Sequence, residues 1–309
     1  MSDVPNSIRV TDVGPRDGLQ NEKVVISTEH KVAYIDALSA SGVAEIEVTS
    51  FVSPKWVPQL ADAAQVLAGV TRRPGVTYSA LVPNEAGLDR AMETKLDKVA
   101  VFTAASETFA RRNTNASIAE TIERFRPVVR RAKASGLTVR GYISCVVACP
   151  FEGPIAPAMV REVAAQLLDM GVDEIDLGET IGVAVPNDID RLYEGLAGLL
   201  APEATTLHLH DTRGTALVCA DRALRLGVRS FDASCGGLGG CPYAPGAAGN
   251  LATEDLVYYC DRMGVTTGVR LDALLEAGTR IASALRRDLT SRVSAAMGRG
   301  RSSDVGRSE

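Results

Sequence analysis

Thr205-Thr206-Leu207-His208-Leu209-His210, then Ala216 to Leu226 (ALVCADRALRL), then Gly227, then Ser230-Phe231-Asp232-Ala233-Ser234: this stretch decides the fold. A run of β-favouring residues leads into apolar residues at helical spacing. A glycine stops the helix, and a second short strand-like run follows. That is one strand–helix–strand unit, and strands joined through a helix pair in parallel.

The same unit recurs along the chain. Strands are expected at Ile8–Val13, Ala44–Thr49, Val76–Val82, Lys98–Phe102, Leu137–Ser144, Glu174–Leu177, Thr205–His210 and Ser230–Ser234. Helical patterns fill the gaps at Lys31–Ala40, Ala119–Ala134, Met159–Met170, Asp190–Leu200 and Ala216–Leu226. Ser27 or Thr28 stands ready to cap the first of these helices and Gly42 to end it. Pro127 predicts a kink or break in the second. Eight strands in strict alternation with helices fit an α/β fold, a (β/α)8 TIM barrel. A doubly wound open sheet would share the alternation, but no Gly-x-Gly-x-x-Gly follows the first strand.

Glu254–Met263 and Leu271–Arg287 read as additional C-terminal helices, closing over the barrel or its edge. Leu271, Leu274, Leu275, Ile281 and Leu285 are expected to be buried. Residues 1–295 thus form a single domain, and residues 296–309, mostly Gly, Arg, Ser and Asp, a disordered tail.

Composition narrows the function classes. The chain has 309 residues, a net charge of −5 and 46% hydrophobic residues. No basic block suggests nucleic acid, and no apolar run approaches the ~18 residues of a spanning helix. The start, Met1-Ser2-Asp3-Val4-Pro5, has no secretory pattern. The six cysteines form no Cys-x-x-Cys pair and read as reduced thiols, so the cytoplasm is the expected location.

Two of the three histidines are His208 and His210. Residues two apart on a strand share a face, so both rings can meet one ion. Two histidines are not a coordination sphere, and a hydrogen-bonded core pair is the other reading. In a barrel, chemistry gathers at the C-terminal strand ends. There lie Arg16 and Asp17 after the first strand, Glu47 within the second, Glu179 after the sixth, and a glycine-dense loop holding Cys241 after the eighth. Asp17 could supply the oxygen ligand that a His-x-His pair lacks, which suits Mg²⁺ or Mn²⁺, with Zn²⁺ or Co²⁺ also accepted. Arg16 is a fixed cation suited to an oxyanion, and otherwise a solvated turn residue. Cys241 reads as a proton donor or acceptor, or as a small buried hydrophobe.

Gly14-Pro15-Arg16-Asp17-Gly18-Leu19-Gln20-Asn21-Glu22, Ser50-Phe51-Val52-Ser53-Pro54-Lys55-Trp56-Val57-Pro58-Gln59 and GGLGGCPYAPGAAGN (Gly236 to Asn250) resemble the 3-hydroxy-3-methylglutaryl-CoA lyase family. So do Arg140-Gly141-Tyr142-Ile143-Ser144-Cys145 and Leu251 to Leu256. The resemblance runs from about Ile8 to about Leu285 in unbroken order. It implies a metal-dependent lyase barrel that splits a branched 3-hydroxyacyl-CoA into acetyl-CoA and acetoacetate. It also implies Asp17, His208, His210 and Asn250 as ligands of a divalent cation. Arg16 would stabilise the enolate, Cys241 would protonate it, and Glu47 would orient Arg16. Gln20, Ser50 and Tyr142 would line the pocket. A small-molecule acyl-CoA, and neither nucleic acid nor membrane, is the implied partner. A homodimer or higher homo-oligomer is expected from the apolar stripes of the C-terminal helices. Leucine degradation is one pathway such a lyase could serve.

The sixth strand departs from the family pattern Ser-Leu-Gly-Asp-Thr, reading Asp176-Leu177-Gly178-Glu179-Thr180, and Arg213 stands where an aromatic residue is common. Asp176 and Glu179 are expected to face the active end. They leave open a related substrate such as citramalyl-CoA. An acetyl-CoA-dependent condensing enzyme is a further alternative, which the Cys241 loop and the lack of a C-terminal regulatory domain oppose. A non-catalytic metal-binding protein would have to keep the whole ligand set unused.

Overall fold

A computed structural model describes residues 4–240 and 249–298. Its elements in order are β1 (Arg9–Asp12), α1 (Thr28–Ser41), β2 (Glu45–Ser50), α2 (Ala63–Gly69), β3 (Thr77–Leu81), α3 (Glu85–Met92), β4 (Lys98–Ala104), α4 (Glu107–Thr114), α5 (Ile118–Ala134) and β5 (Thr138–Ser144). Then come β6 (Ala148–Cys149), β7 (Gly153–Pro154), α6 (Pro157–Met170), β8 (Glu174–Glu179), α7 (Pro186–Leu196), β9 (Thr205–Leu209), α8 (Ala216–Leu226), β10 (Ser230–Ala233), α9 (Thr253–Met263), α10 (Leu271–Leu285) and α11 (Arg292–Gly298). Eight parallel strands close in the order β1-β10-β9-β8-β5-β4-β3-β2, and β6 and β7 form a small separate hairpin. The (β/α)8 TIM barrel is therefore the fold.

Local chemistry explains most boundaries. Ser27 caps α1 through its hydroxyl, and Gly42 ends it in the left-handed region at φ 92°. Ser117 and Glu120 form a reciprocal capping box at the start of α5, with bonds of 3.1 and 2.6 Å. Pro127 does not break α5, contrary to expectation. Ile122, Phe125, Val128 and Val129 are all buried on one face, and that packing outweighs the local penalty. The helix expected at Asp190–Leu200 is α7, which starts and ends four residues earlier. Pro186 opens it, Asp188 accepts from the Val185 N–H at 2.9 Å, and Gly198 at φ 79° carries the chain away.

The C-terminal helices pack at the edge of the barrel. α10 lies along α1, while α9 is tied to α8 by the Tyr259 hydroxyl, which donates to Asp221 at 2.6 Å. They complete the outer helical ring. Leu274, Ile281 and Leu285 are buried there, whereas Leu271 and Leu275 are only half-buried. Three of the five apolar residues of the stripe expected to serve a dimer are thus covered within the chain. α11 carries helix to Gly298, past the expected start of the tail at residue 296.

β2 is buried at every position. Ile46 and Val48 face the helices, while Glu45 and Glu47 point into the barrel. That interior is polar. Arg140 binds Glu174 at 2.8 Å, Asp232 at 3.0 Å and the Thr11 hydroxyl at 3.2 Å. Lys98 bridges Glu45 at 2.6 Å and Glu174 at 2.9 Å. These pairs fill the N-terminal and middle layers. They leave the C-terminal layer for the functional groups.

Candidate active site

The chain leaves β1 through a wide helical turn, Gly14–Gly18, wound around one carbonyl. Val13 O accepts from the N–H groups of Arg16, Asp17 and Gly18 at 3.2, 2.8 and 3.1 Å. Only glycine fits at position 14, because a Cβ there would lie 2.3 Å from the Tyr34 hydroxyl. The turn aims Arg16 inward. Its Nε donates to Glu47 Oε2 at 2.5 Å and its guanidinium to Asp17 Oδ1 at 2.8 Å. The guanidinium carbon stands 5.5 Å from the Tyr142 ring centroid. Burial works against the Arg16 charge, but Glu47 and Asp17 hold it well above the usual guanidinium range. Burial pushes Glu47 up, and Arg16 offsets part of that rise.

His208 lies in β9, and His210 follows its end in an isolated bridge to Asn250. Asp211 N–H donates to Gly249 O at 3.1 Å and Leu251 N–H to Leu209 O at 2.9 Å. The returning limb of the glycine-rich loop is thereby stitched beside the histidines. The two Nε2 atoms face each other at 3.3 Å, and His208 Nδ1 meets Asp232 Oδ2 at 3.1 Å. Asp17, His208 and His210 each offer an atom within 4.8 Å of the others. Asn250 Nδ2 donates to Asp17 Oδ2 and to Leu238 O, both at 2.9 Å. Among the described residues, Asn250 Oδ1 and His210 Nδ1 are buried with no hydrogen-bond partner.

These residues fit a divalent cation. Two ligands on one ion with bonds of about 2.1 Å stand roughly 3.0–3.4 Å apart, and the ring nitrogens are 3.3 Å apart. The Asp17 carboxylate adjoins them, and Asn250, whose amide oxygen is unpartnered among the described residues, is bridged to His210 and bonded to Asp17, a mixed nitrogen and oxygen set. Asp232 behind His208 is the carboxylate partner that orients a ligating imidazole. Electrostatics agree. Burial would raise Asp17, but Arg16 and both histidines hold it below the usual carboxylate range. Burial and the neighbouring His208 push His210 down to about 4, which keeps its ring neutral. Burial opposes the His208 charge, but Asp232 raises its pKa.

Tyr142 stands edge-on to His208, ring centroids 6.4 Å apart, and its hydroxyl lies 3.3 Å from Asp232 Oδ2. Ser50 is buried at the end of β2, accepting from the Val52 N–H at 3.2 Å. Gln20 is half-buried just past the first turn. Cys241 falls outside the described residues.

Glu179 does not join this group. It shares parity with Ile175 and Leu177, which face the helices, so it points out of the barrel. There it accepts from the Val183 N–H at 3.1 Å and anchors the loop after β8. Burial pushes it up to about 7. Asp176 does face inward, but one layer down, fully buried beside Arg140 at 3.5 Å. Burial and Asp232 raise its pKa. Asp232 was missed by sequence reasoning. It pairs in register with His208 on the neighbouring strand, so alternation within Ser230-Phe231-Asp232-Ala233 could have placed it inward.

A cradle of this composition at the C-terminal rim marks a barrel enzyme whose chemistry sits on its βα loops. The chain belongs to the HMGL-like family, whose model matches residues 7–281. It is 49% identical to a mitochondrial hydroxymethylglutaryl-CoA lyase of Macaca fascicularis, across 96% of this chain and 91% of that one. It is 48% identical to a 3-hydroxy-3-isohexenylglutaryl-CoA/hydroxymethylglutaryl-CoA lyase of Pseudomonas aeruginosa, across 95% and 98%. A solved hydroxymethylglutaryl-CoA lyase from Pseudomonas aeruginosa superposes with a TM-score of 0.94 at 47% identity, covering 97% of this chain and all of that one.

Proposed function

We propose that this protein is a carbon–carbon lyase that cleaves 3-hydroxy-3-methylglutaryl-CoA to acetyl-CoA and acetoacetate. The observation that carries the reading is the Asp17–His208–His210 group with the Arg16 guanidinium 2.8 Å from Asp17. Family membership supplies the reaction type. In the reaction the C2–C3 bond breaks, the C3 hydroxyl loses its proton and becomes a ketone, and the electron pair passes to C2 as a thioester enolate. Protonation of C2 yields acetyl-CoA.

The roles divide by position. Asp17, His208, His210 and Asn250 would hold Mg²⁺ or Mn²⁺, with Co²⁺ or Zn²⁺ as alternatives. Such an ion lowers the pKa of a hydroxyl bound to it. Arg16, a permanent cation pinned by Glu47, stabilises the enolate oxygen. Glu47 acts through Arg16. Tyr142 packs the wall beside Arg16 and His208, and Ser50 and Gln20 lie at the rim. Cys241, on the loop whose ends at Gly240 and Gly249 adjoin the site, delivers the proton to C2.

No described helix is long and apolar enough to cross a membrane. A cytoplasmic enzyme of leucine degradation is the setting proposed for it. A homo-oligomer rests on the prevalence of symmetric assemblies. The dual name of the Pseudomonas aeruginosa relative favours a second reading, in which longer 3-alkyl branches are also accepted.

The test is turnover of 3-hydroxy-3-methylglutaryl-CoA by purified protein with Mg²⁺ and then EDTA, scoring both products. Cation-dependent release of acetyl-CoA and acetoacetate is expected. No turnover by folded, cation-loaded protein would overturn the substrate, and citramalyl-CoA and the isohexenyl analogue would be assayed next.

A further inference from the structure

Behind the barrel wall, one buried carboxylate touches three separate segments of chain. Asp12 is the last residue of β1 and faces away from the barrel interior. Its Oδ1 accepts from the Gly14 N–H at 2.9 Å. Its Oδ2 accepts from the Cys235 N–H at 2.9 Å and from the Thr253 hydroxyl at 2.8 Å. Gly14 opens the turn that carries Arg16 and Asp17. Cys235 opens the loop that leads to Cys241. Thr253 follows Asn250 by three residues. The turn of Arg16 and Asp17, the start of the glycine-rich loop and the segment after Asn250 therefore meet at this one group.

Glu254 stands beside it, also fully buried. Both of its oxygens accept from the Gly236 N–H, at 2.9 and 2.8 Å. Gly236 is in the left-handed region at φ 72° and Gly237 at φ 68°, so the turn is one that only a few residue types tolerate. Glu254 holds that turn closed. Burial drives both carboxyls upward, to about 7 in each case. An apolar side chain would avoid that cost but could not accept from backbone N–H groups.

We propose that Asp12 and Glu254 are positioning residues. Asp12 keeps the Arg16–Asp17 turn and Asn250 in register with the histidine pair. Glu254 keeps the Cys235–Gly237 turn, from which the chain runs on to Cys241, in register with both. The inference rests on the lyase reading for its turnover arm, and on the cation cradle alone for its binding arm.

The two carboxylates make different predictions, which a merely structural role would not. In Asp12→Asn, each side-chain position already faces a backbone N–H, and the amide has only one acceptor. One N–H must lose its partner. Mn²⁺ is the probe, followed by its paramagnetic resonance signal, together with kcat and KM at saturating Mn²⁺ and the melting temperature. Asp12→Asn raises the Mn²⁺ dissociation constant about tenfold, as loss of an outer-shell partner does, and lowers kcat. Glu254→Met lowers kcat about tenfold through loop misplacement, with Mn²⁺ affinity and KM nearly unchanged. Glu254→Gln, which keeps an acceptor for Gly236, recovers most of that kcat.

The proposal is overturned if Asp12→Asn binds Mn²⁺ as wild type does. It is equally overturned if Glu254→Met loses Mn²⁺ affinity and turnover together, in proportion to its loss of folded protein. Should Asp12→Asn not fold, Thr253→Val removes one of the three donors and is read the same way. Should the wild type turn over no substrate, the lyase reading fails, while Mn²⁺ binding by Asp12→Asn still decides the role of Asp12.

Discussion

Glu254→Gln isolates the energetic cost of keeping a charge behind the barrel. The wild-type carboxyl is raised from 4.5 to about 7, with burial as the main cause and the Gly236 N–H acting the other way. A folded pKa above the unfolded one means that stability is fully present below about 4.5. It is lost as pH rises through about 7. The shift is about 2.5 pH units, and each unit is worth about 1.4 kcal/mol, so the loss is on the order of 3 kcal/mol. The amide carries no charge at any pH and keeps one acceptor for Gly236. Other titrating groups are common to both proteins and cancel in the difference. The variant should therefore gain on wild type by roughly 3 kcal/mol between pH 4.5 and pH 8, about 6 °C in melting temperature. Guanidinium unfolding of both proteins, cation-free, at half-unit pH steps measures it. A difference that stays flat within about 0.5 kcal/mol, or that runs the other way, would mean that Glu254 is not a buried acid with a raised pKa.

Two further outcomes follow from the site itself. Asp232→Asn removes the carboxylate behind His208, so Mn²⁺ affinity by calorimetry should fall about 10–100-fold; an unchanged affinity would detach Asp232 from the cradle. Cys241→Ala should lower kcat by several orders of magnitude with cation affinity intact, and cleavage at the wild-type rate would remove its role as acid.

The barrel was legible because parallel strands reached through helices repeat a simple period. Short runs such as Lys98–Phe102 and Thr205–His210 came within two residues of the observed strands. The small helices α2, α3 and α4 were not recognised, since at seven or eight residues they show too few turns for a periodic stripe. α7 was displaced because Leu199 and Leu200 continue its apolar period past Gly198, where the backbone has already turned. Pro127 misled for the opposite reason. Its local penalty was legible, but the packing that overcomes it joins residues far apart in sequence.

The site divides along the same line. His208 and His210 were legible because one extended run, β9 and the residue after it, holds both, and parity alone puts them side by side. Asp17 and Asn250 are 233 residues apart, and their 2.9 Å bond exists only because the barrel closes β1 against β10. No local pattern carries that bond: Asp17 was legible as a possible oxygen ligand at a strand end, whereas Asn250 came from resemblance alone. Glu179 shows the limit of resemblance without geometry. A carboxylate at the end of a strand looks like an active-site acid, yet one step of parity decides whether it meets the substrate or the loop behind the wall. Asp12 is the converse case. The same parity turns it outward, away from any reacting atom, and there it gathers the N–H of Gly14, which opens the turn of Arg16 and Asp17, and the N–H of Cys235, which opens the glycine-rich loop. In a parallel barrel the inward residues can do chemistry, and the outward residues at the same strand ends decide where the loops begin.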